Sequence, residues 1–255
     1  MYVNTAGLIL RETAYRDSSK ILTVLTGSEG KLTVTARGAL RRNSKLAAVT
    51  QLLAFSEMTL VSARDRWTLT EARSIEQFIG LRSDIALLSL ASYFAELTEA
   101  VADEDCPNPE LLPLILNSLF ALSEGVKSPE YVKPVFELRL MRVSGLAPNV
   151  DRCAVCGRTS PERVHLDVSG GTIRCDACAP GGSDAFSGGA PSGSCVLSGG
   201  VLGAMRYIIG CDPKKLFSFT LGETALRELL CVTEGYLLAH LDRRFRTLDF
   251  YRSII

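Results

Sequence analysis

Four cysteines in the second half of the chain have a spacing that is typical of a metal site. Cys153 and Cys156 form one CxxC pair, Cys175 and Cys178 form a second, and eighteen residues separate the two pairs. Two such pairs can place four thiolates around a tetrahedral ion, and a gap of about 15–20 residues is usual for zinc sites of this kind. Four sulfur ligands leave no position for water or substrate, so the spacing predicts one structural Zn²⁺ rather than a catalytic one.

The alternative for these cysteines is a redox pair or a set of unrelated reduced thiols. A redox CxxC normally opens a helix after a strand in a thioredoxin-like unit, and neither pair has that context. A secreted disulfide scaffold would be short and dense in cysteine, whereas this chain has 8 cysteines in 255 residues. His165 lies between the pairs, and with four thiols present we expect it not to be a ligand.

A second group of residues with binding chemistry lies in the first fifth of the chain. The segment from Lys31 to Lys45 contains no acid and five cations, which are Lys31, Arg37, Arg41, Arg42 and Lys45. Cations grouped on one surface bind the phosphates of nucleic acids without reading their sequence. The alternative is a solvated run of charges, which is the commoner fate of such segments. Tyr15, Phe55 and Trp67 could stack on bases, but isolated aromatics in strands more often belong to the core.

The first eighty residues should form the scaffold for this basic segment. They contain short runs rich in β-branched residues, separated by turn signals such as Gly27-Ser28-Glu29-Gly30, and the predicted strands lie within 7–10, 21–26, 31–38, 52–63 and 66–75. About five strands without helical periodicity predict a small closed barrel of the OB-fold type.

Beyond residue 80 the pattern becomes helical. Apolar side chains recur at helical spacing from Ser83 to Val101, and further helices are predicted at about 109–122, 128–144, 201–209 and 223–245. The segment from Ala179 to Gly200 is rich in Gly, Ser and Pro, which predicts a mobile loop. The predicted fold class is therefore α+β, with a barrel at 1–80, a helical domain at 81–148 and 201–255, a zinc module at 149–180 and a flexible loop at 181–200.

Composition and motifs narrow the classes of function. The net charge is zero, but residues 1–80 carry 11 Lys and Arg against 7 Asp and Glu, while residues 81–150 carry 5 against 10. No signal peptide or apolar run of about 20 residues is present, so we expect a cytoplasmic protein with no membrane partner. The motifs GxxxxGK[ST], GxGxxG, GxSxG and HExxH are absent and there are only 2 histidines. We therefore expect neither an enzyme nor a small-molecule substrate.

Several short segments, taken in order, resemble the RecO family of bacterial recombination mediators in the RecF pathway. The matching residues are Gly7-Leu8-Ile9-Leu10-Arg11, Tyr15, Ser19-Lys20-Ile21, Thr26, Gly30-Lys31, Ala36-Arg37-Gly38-Ala39, Ser44, Gly145-Leu146-Ala147-Pro148, Cys153-x-x-Cys156-Gly157, Tyr236-Leu237-Leu238-Ala239-His240-Leu241 and Arg246-Thr247-Leu248. Their order and spacing around the cysteine module cover nearly the whole chain.

The resemblance implies a fold and a function. It implies an N-terminal OB-fold, a helical bundle and an inserted four-cysteine zinc module. It implies DNA repair without nucleotide hydrolysis, in which the protein binds single- and double-stranded DNA, anneals complementary strands, and assists recombinase loading with RecR on DNA coated by single-stranded-DNA-binding protein. The residues that match the basic face of the family's barrel are Lys20, Lys31, Arg37, Arg41, Arg42 and Lys45.

Two departures and two alternatives accompany this interpretation. Arg16 and Asp17 stand where the family usually has glycine and glutamate, so the local turn is expected to differ, and the long Gly/Ser segment is not typical of the family. A zinc-ribbon transcription or RNA-binding factor is the first alternative, but the arginines near the knuckles are offset by acids. A metal-dependent hydrolase is the second, and it would need the open coordination position that four thiolates do not leave.

Overall fold

The computed structural model describes residues 2–63, 66–160, 163–179 and 193–255. The chain forms two compact units, one of Met1–Val126 with Phe245–Ile255 and one of Lys127–Arg244. We call them the barrel unit and the cysteine unit. The domain boundaries that we predicted after residues 80, 148, 180 and 200 remain predictions.

The barrel unit opens with five strands: β1 (Tyr2–Tyr15), β2 (Ser19–Thr26), β3 (Lys31–Ala36), β4 (Phe55–Ala63) and β5 (Arg66–Glu76). They close in the order β1-β2-β3-β5-β4, with β3 and β5 parallel and all other neighbours antiparallel. The strands' inward side chains fill the barrel, where Ile9, Leu22, Val24 and Leu60 are fully buried. A closed five-stranded barrel is the OB-fold architecture, so the predicted fold class is confirmed.

The segment between β3 and β4, residues 37–54, contains only turns, yet it is firmly held to the barrel. Ala39 and Ala54 belong to the buried barrel core. The Leu53 N–H donates to the Ile9 carbonyl at 2.9 Å, and the Ile9 N–H donates to the Ala54 carbonyl at 3.0 Å. Backbone hydrogen bonds and buried side chains therefore fix this segment at both ends. We call residues 37–54 the basic connection.

Among the described residues, six α-helices complete the two units: α1 (Ile85–Val101), α2 (Leu111–Ser123), α3 (Pro129–Val143), α4 (Gly199–Gly210), α5 (Glu223–Leu241) and α6 (Arg246–Ile254). In the barrel unit, α1 begins after Asp84, whose Oδ1 accepts from the Ala86 N–H at 2.7 Å. The start of α6 is bound to α1, because the N–H and hydroxyl of Thr247 both donate to Glu96 Oε2, at 3.2 and 2.5 Å. Asp84 therefore caps the first helix.

The cysteine unit combines α3, α4 and α5 with a small sheet. Its strands are β6 (Asn149–Cys153), β7 (Val164–Asp167), β8 (Thr172–Cys175) and β9 (Ser194–Leu197), in the order β6-β8-β7-β9. Among the helices, Lys133 is buried and its Nζ lies 2.7 Å from Glu137 Oε1 and 2.6 Å from Glu234 Oε2. Burial lowers the pKa of Lys133, but the two carboxylates outweigh that effect and raise it above its ordinary value.

Two segments differ from the prediction made from sequence. Residues 180–192 of the predicted Gly/Ser loop lie outside the described residues, and the remainder forms β9 and the start of α4. β9 pairs with β7, and Cys195 and Leu197 are buried there. This burial of apolar side chains could not be predicted from the Gly- and Ser-rich composition of the segment. The predicted helix 223–245 ends at Leu241 because Asp242 is left-handed (φ 45°). Phe245 instead packs edge-on against Tyr93 in the barrel unit.

Candidate metal centre and nucleic-acid interface

Two parallel neighbouring strands bring the cysteine pairs together. Cys153 ends β6 and Cys175 ends β8, and the Cα partner of Cys153 is Ile173. Cys156 follows in a tight turn, which Gly157 (φ +73°) closes by donating its N–H to the Cys153 carbonyl at 2.9 Å. Cys178 ends a single 3₁₀ turn that begins directly after β8. The chain therefore folds each CxxC back on itself at the end of a strand.

The four sulfur atoms have the separation that a tetrahedral ion requires. The Sγ atoms of the four cysteines all lie within 4.8 Å of one another, and Cys156 Sγ is 3.7 Å from Cys175 Sγ. A tetrahedron with Zn–S bonds of ~2.3 Å has sulfur atoms about 3.8 Å apart. The cluster fits a zinc-sized ion, and the set of four thiols is the one predicted from the spacing.

Backbone amides around the cluster favour the ionised form of one thiol. Hydrogen bonds from the backbone of Cys156 and then of Cys175 lower the pKa of Cys153 to about 6. The second of these is an N–H···Sγ contact of 3.4 Å. Hydrogen bonds first to Cys175 and then to Cys156 raise the pKa of Cys178 to about 12, because this thiol shares its proton with its neighbours. The hydrogen bonds thus favour ionisation of Cys153, whereas Cys178 would lose its proton only on binding a cation.

Three polar side chains of α4 and α5 bind backbone carbonyls in the cysteine sheet and in the segments next to its strands. Arg206 of α4 donates to the carbonyls of Val150, Asp151 and Thr159, at 2.7, 2.9 and 2.8 Å. The Tyr236 hydroxyl of α5 donates to the Leu146 carbonyl at 3.0 Å, and His240 Nε2 lies 2.8 Å from the Val168 carbonyl. Sequence reasoning missed Arg206, although a lone cation in the apolar helix α4 could have signalled it.

His165 is directed at a carboxylate rather than at the sulfur atoms. Its Nε2 lies 2.8 Å from Asp176 Oδ1. It is not among the residues whose ligand atoms cluster with the four thiols. The expectation that His165 is not a ligand stays a prediction, and this contact supports it.

The basic connection presents four of the predicted cations to solvent. Arg37, Arg41, Arg42 and Lys45 are all exposed. Its turns are closed by local backbone bonds, among them Arg41 N–H to the Gly38 carbonyl at 3.1 Å and Ser44 N–H to the Arg41 carbonyl at 3.0 Å. The cations therefore extend from an ordered backbone, which lowers the entropy lost when they bind an anion.

The two other predicted cations are engaged within the barrel unit. Lys20 pairs with Glu12 and donates to the Thr50 carbonyl at 3.3 Å, and its side chain is only 12% exposed. Lys31 donates from Nζ to the Glu99 carbonyl of α1 at 3.1 Å. The preceding residue, Gly30 (φ +74°), packs against the Cys106 backbone, where a Cβ would lie 2.4 Å from the carbonyl oxygen. Lys20 and Lys31 are therefore half-buried and hydrogen-bonded within the barrel unit, unlike the other four.

Two of the three aromatic side chains considered for base stacking line a single cleft. Tyr15 and Trp67 contribute to a cavity of about 540 Å³ whose other walls include Arg16, Arg37 and Arg66. Phe55 is half-buried and is not among the lining residues. We call this cavity the barrel cleft. Sequence reasoning missed Arg66, and Arg16 entered only as a departure from the family pattern.

Within the part of the chain that the structure describes, there is no helix of the length and apolarity needed to span a bilayer.

Comparison with known proteins identifies one family over nearly the whole chain. Residues 1–78 match the family model described as "Recombination protein O N terminal", and residues 82–249 match "Recombination protein O C terminal". The boundary between the two matches falls between β5 and α1.

Curated relatives give the same result. The chain is 32% identical to "DNA repair protein RecO" of Acetivibrio thermocellus over 99% of this chain and 97% of that protein. It is 29% identical to the protein of that name from Caldicellulosiruptor bescii over 99% and 98%. A third, from Listeria monocytogenes, is 37% identical over 68% of this chain and 67% of its own. A barrel, a four-thiol cluster and these matches together place the chain in the RecO family of DNA repair proteins.

Proposed function

We propose that this protein binds single- and double-stranded DNA through its barrel, anneals complementary strands, and with RecR assists recombinase loading on DNA coated by single-stranded-DNA-binding protein. The observation that carries the proposal is the exposure of Arg37, Arg41, Arg42 and Lys45 on the ordered basic connection. Membership of a DNA repair family supports DNA as the polyanion that these cations bind. Such a protein would act in the cytoplasm, at the nucleoid.

Annealing on this surface needs no catalysis. Two complementary strands repel each other through their phosphates, and a cationic surface that holds both reduces this repulsion while it raises their local concentration. Base pairing then releases the free energy that drives the reaction, so nucleotide hydrolysis is not required. We therefore propose a mediator that is not an enzyme and has no small-molecule substrate.

Phosphate contacts in this proposal are assigned to four of the six predicted cations. Arg37, Arg41, Arg42 and Lys45 can reach a ligand without losing a partner that the structure shows. Lys20 and Lys31 would each have to give up an internal hydrogen bond first. An ammonium group that exchanges one partner for another gains little free energy, so these two lysines support the barrel in our proposal.

The decisive experiment compares two charge reversals in adjacent exposed cations. Arg41→Glu with Arg42→Glu tests the basic connection, and Lys214→Glu with Lys215→Glu is the matched control in the cysteine unit. Affinity for single- and double-stranded oligonucleotides is measured by fluorescence anisotropy across a salt titration. The slope of log K against log salt is negative. Loss of two phosphate contacts should reduce its magnitude by at least ~1.8 for duplex and ~1.4 for single strands. The control should keep the wild-type slope.

The same proteins then enter a strand-annealing assay with complementary oligonucleotides. We expect the Arg41 and Arg42 variant to anneal strands more slowly than the control, because it no longer gathers them. An unchanged slope and annealing rate in that variant would remove the basic connection from the proposal.

We further propose that Cys153, Cys156, Cys175 and Cys178 hold one structural Zn²⁺. The support is the compact four-sulfur geometry and the lowered pKa of Cys153. Four thiolates saturate a tetrahedral ion, so its contribution is to folding rather than to chemistry. Elemental analysis of the purified chain tests this proposal: we expect one zinc per chain, and a metal-free protein that is fully folded would refute it.

A further inference from the structure

The barrel cleft combines aromatic and cationic side chains at the ends of several strands. Tyr15 and Arg16 come from the end of β1 and the following turn, Arg37 follows β3, and Arg66 and Trp67 begin β5. The parallel pairing of β3 with β5 places Val34 opposite Trp67 and Thr35 opposite Thr68, which fixes this wall of the cleft. Among the described residues that line it, none is acidic. The composition is that of a site for an anion that carries a flat, apolar group.

The two aromatic rings are held differently. Trp67 packs against the buried barrel core, so its indole is fixed while part of it remains accessible. Tyr15 is 37% exposed, and Arg16 Cζ lies 5.0 Å from the centre of its ring. A guanidinium over an aromatic face stabilises a stacked arrangement. A fixed ring and a solvent-facing ring can each accept a planar base by stacking.

The cleft is continuous with the basic connection through one residue. Arg37 lines the cleft and begins the connection, whereas Arg41, Arg42 and Lys45 are not lining residues. A strand whose phosphates follow the connection would therefore enter the cleft at Arg37. The cavity volume of about 540 Å³ lies within the ~300–1,000 Å³ of sites that enclose small organic ligands. This is enough room for part of a single strand, but bases that are paired inside a duplex cannot offer their faces to it.

We propose that the barrel cleft binds unpaired bases, so that Trp67 and Tyr15 make the protein's affinity for single strands greater than its phosphate contacts alone would give. This inference rests on the proposed DNA binding and adds a division of roles. The exposed cations of the basic connection bind the phosphates of either form of DNA, and the aromatic side chains of the cleft bind only bases that are free to stack.

Trp67 reports on this site directly, because it is the only tryptophan in the chain. Stacking of a base on the indole quenches its fluorescence. Titration of the wild-type protein with oligo(dT) should quench the emission at the same concentrations that saturate the anisotropy signal. Titration with a blunt duplex of equal length should raise the anisotropy and leave the emission nearly unchanged.

Variants then measure the contribution to affinity. Tyr15→Leu and Trp67→Leu should each weaken oligo(dT) binding by about 5- to 150-fold, the range for loss of one stacked base, and change duplex binding by less than about twofold. The salt slope should stay at the wild-type value, since no phosphate contact is lost. Trp67→Phe keeps an aromatic face and should retain most of the preference for single strands, which separates stacking from a general defect in the barrel.

The outcomes distinguish this inference from the proposed function. If wild-type protein binds no DNA at all, the proposed function itself fails. If it binds oligo(dT) and the Trp67 emission does not change, or if Tyr15→Leu weakens single-strand and duplex binding equally, DNA binding stands and the cleft is not a base site. The wild-type emission decides the question even if Trp67→Leu does not fold.

Discussion

Lys20 provides the sharpest test of which cations contact DNA. The family resemblance assigns Lys20 to the basic face of the barrel, but its ammonium pairs with Glu12 and donates to the Thr50 carbonyl. Glu12 in turn accepts the Leu52 N–H at 3.2 Å through Oε1. The pair thus joins the β1–β2 hairpin to the last residues of the basic connection. We predict that Lys20→Met lowers stability and leaves the salt dependence of DNA binding unchanged.

The expected loss of stability follows from the exposure of the two side chains. The Lys20 side chain is 12% exposed and that of Glu12 is 31% exposed, so the pair is neither at the surface nor fully buried. Exposed pairs are worth ~0.2–1 kcal/mol and removal of one partner of a buried pair costs ~3–5 kcal/mol. Glu12 keeps its hydrogen bond from Leu52, so we expect a loss of ~1–2 kcal/mol. That corresponds to a Tm lower by about 2–8 °C for a chain of this size.

Thermal unfolding and a salt titration of oligo(dT) binding check this prediction, with Arg42→Gln as the matched variant. Arg42→Gln removes an exposed cation. It should reduce the magnitude of the salt slope by ~0.7 without a change in Tm. Lys20→Met should lower the Tm and leave the salt slope unchanged. If Lys20→Met keeps the wild-type Tm and loses ~0.7 from the slope, Lys20 is a phosphate contact and the argument from its internal partners is refuted.

Three further predictions follow from individual contacts. Cys175→Ser should abolish stoichiometric zinc and lower the Tm of the protein, whereas Cys231→Ser, an exposed cysteine of α5, should change neither. Arg16→Gly should raise the free energy of unfolding by up to ~1 kcal/mol, because the Arg16 backbone is left-handed (φ 54°). The same variant should weaken oligo(dT) binding. If it is instead less stable than the wild type, the Arg16 side chain supports the turn. Lys133→Met should cost ~3–5 kcal/mol in urea unfolding because it leaves the Glu137 carboxylate fully buried, and Glu137→Leu in the same chain should recover part of the loss; additive losses would contradict this.

The cysteine cluster could be predicted from the sequence because its information is local. A CxxC turn places two sulfur atoms near each other whatever the surrounding fold is, and the only long-range requirement is that two such turns meet. Neighbouring strands β6 and β8 meet it, since Cys153 and Cys175 are their final residues. The contacts that dock this sheet were not predictable, because Arg206 binds carbonyl groups 47–56 residues away along the chain.

The basic segment shows the opposite case, in which composition is not enough. The absence of acids between Lys31 and Lys45 suggested that all its cations are available. Yet the partner of Lys31 is the carbonyl of Glu99, 68 residues away, and that contact depends on how α1 packs against the barrel. Carbonyl groups do not appear in a count of charges, so a lysine that binds one cannot be recognised from sequence.

The barrel cleft likewise depends on tertiary structure, since residues 15, 37 and 67 meet only when β1, β3 and β5 close into a barrel. From sequence, Tyr15 and Trp67 each resembled an ordinary core aromatic. Trp67 does pack against the barrel core, but it is only partly buried and also lines the cleft.

The cysteine sheet and the barrel differ in how much apolar core their strands can bury. The barrel closes on itself and buries a core of its own, so its surface can carry cations and an open cleft without loss of the fold. The cysteine sheet has strands of only four or five residues and cannot bury comparable apolar area. The contacts from Arg206, Tyr236 and His240 stabilise this sheet, and the proposed metal would add to that stability. Substitutions at the cysteines should therefore act on DNA binding only through the folded fraction, with the salt slope of the folded protein unchanged.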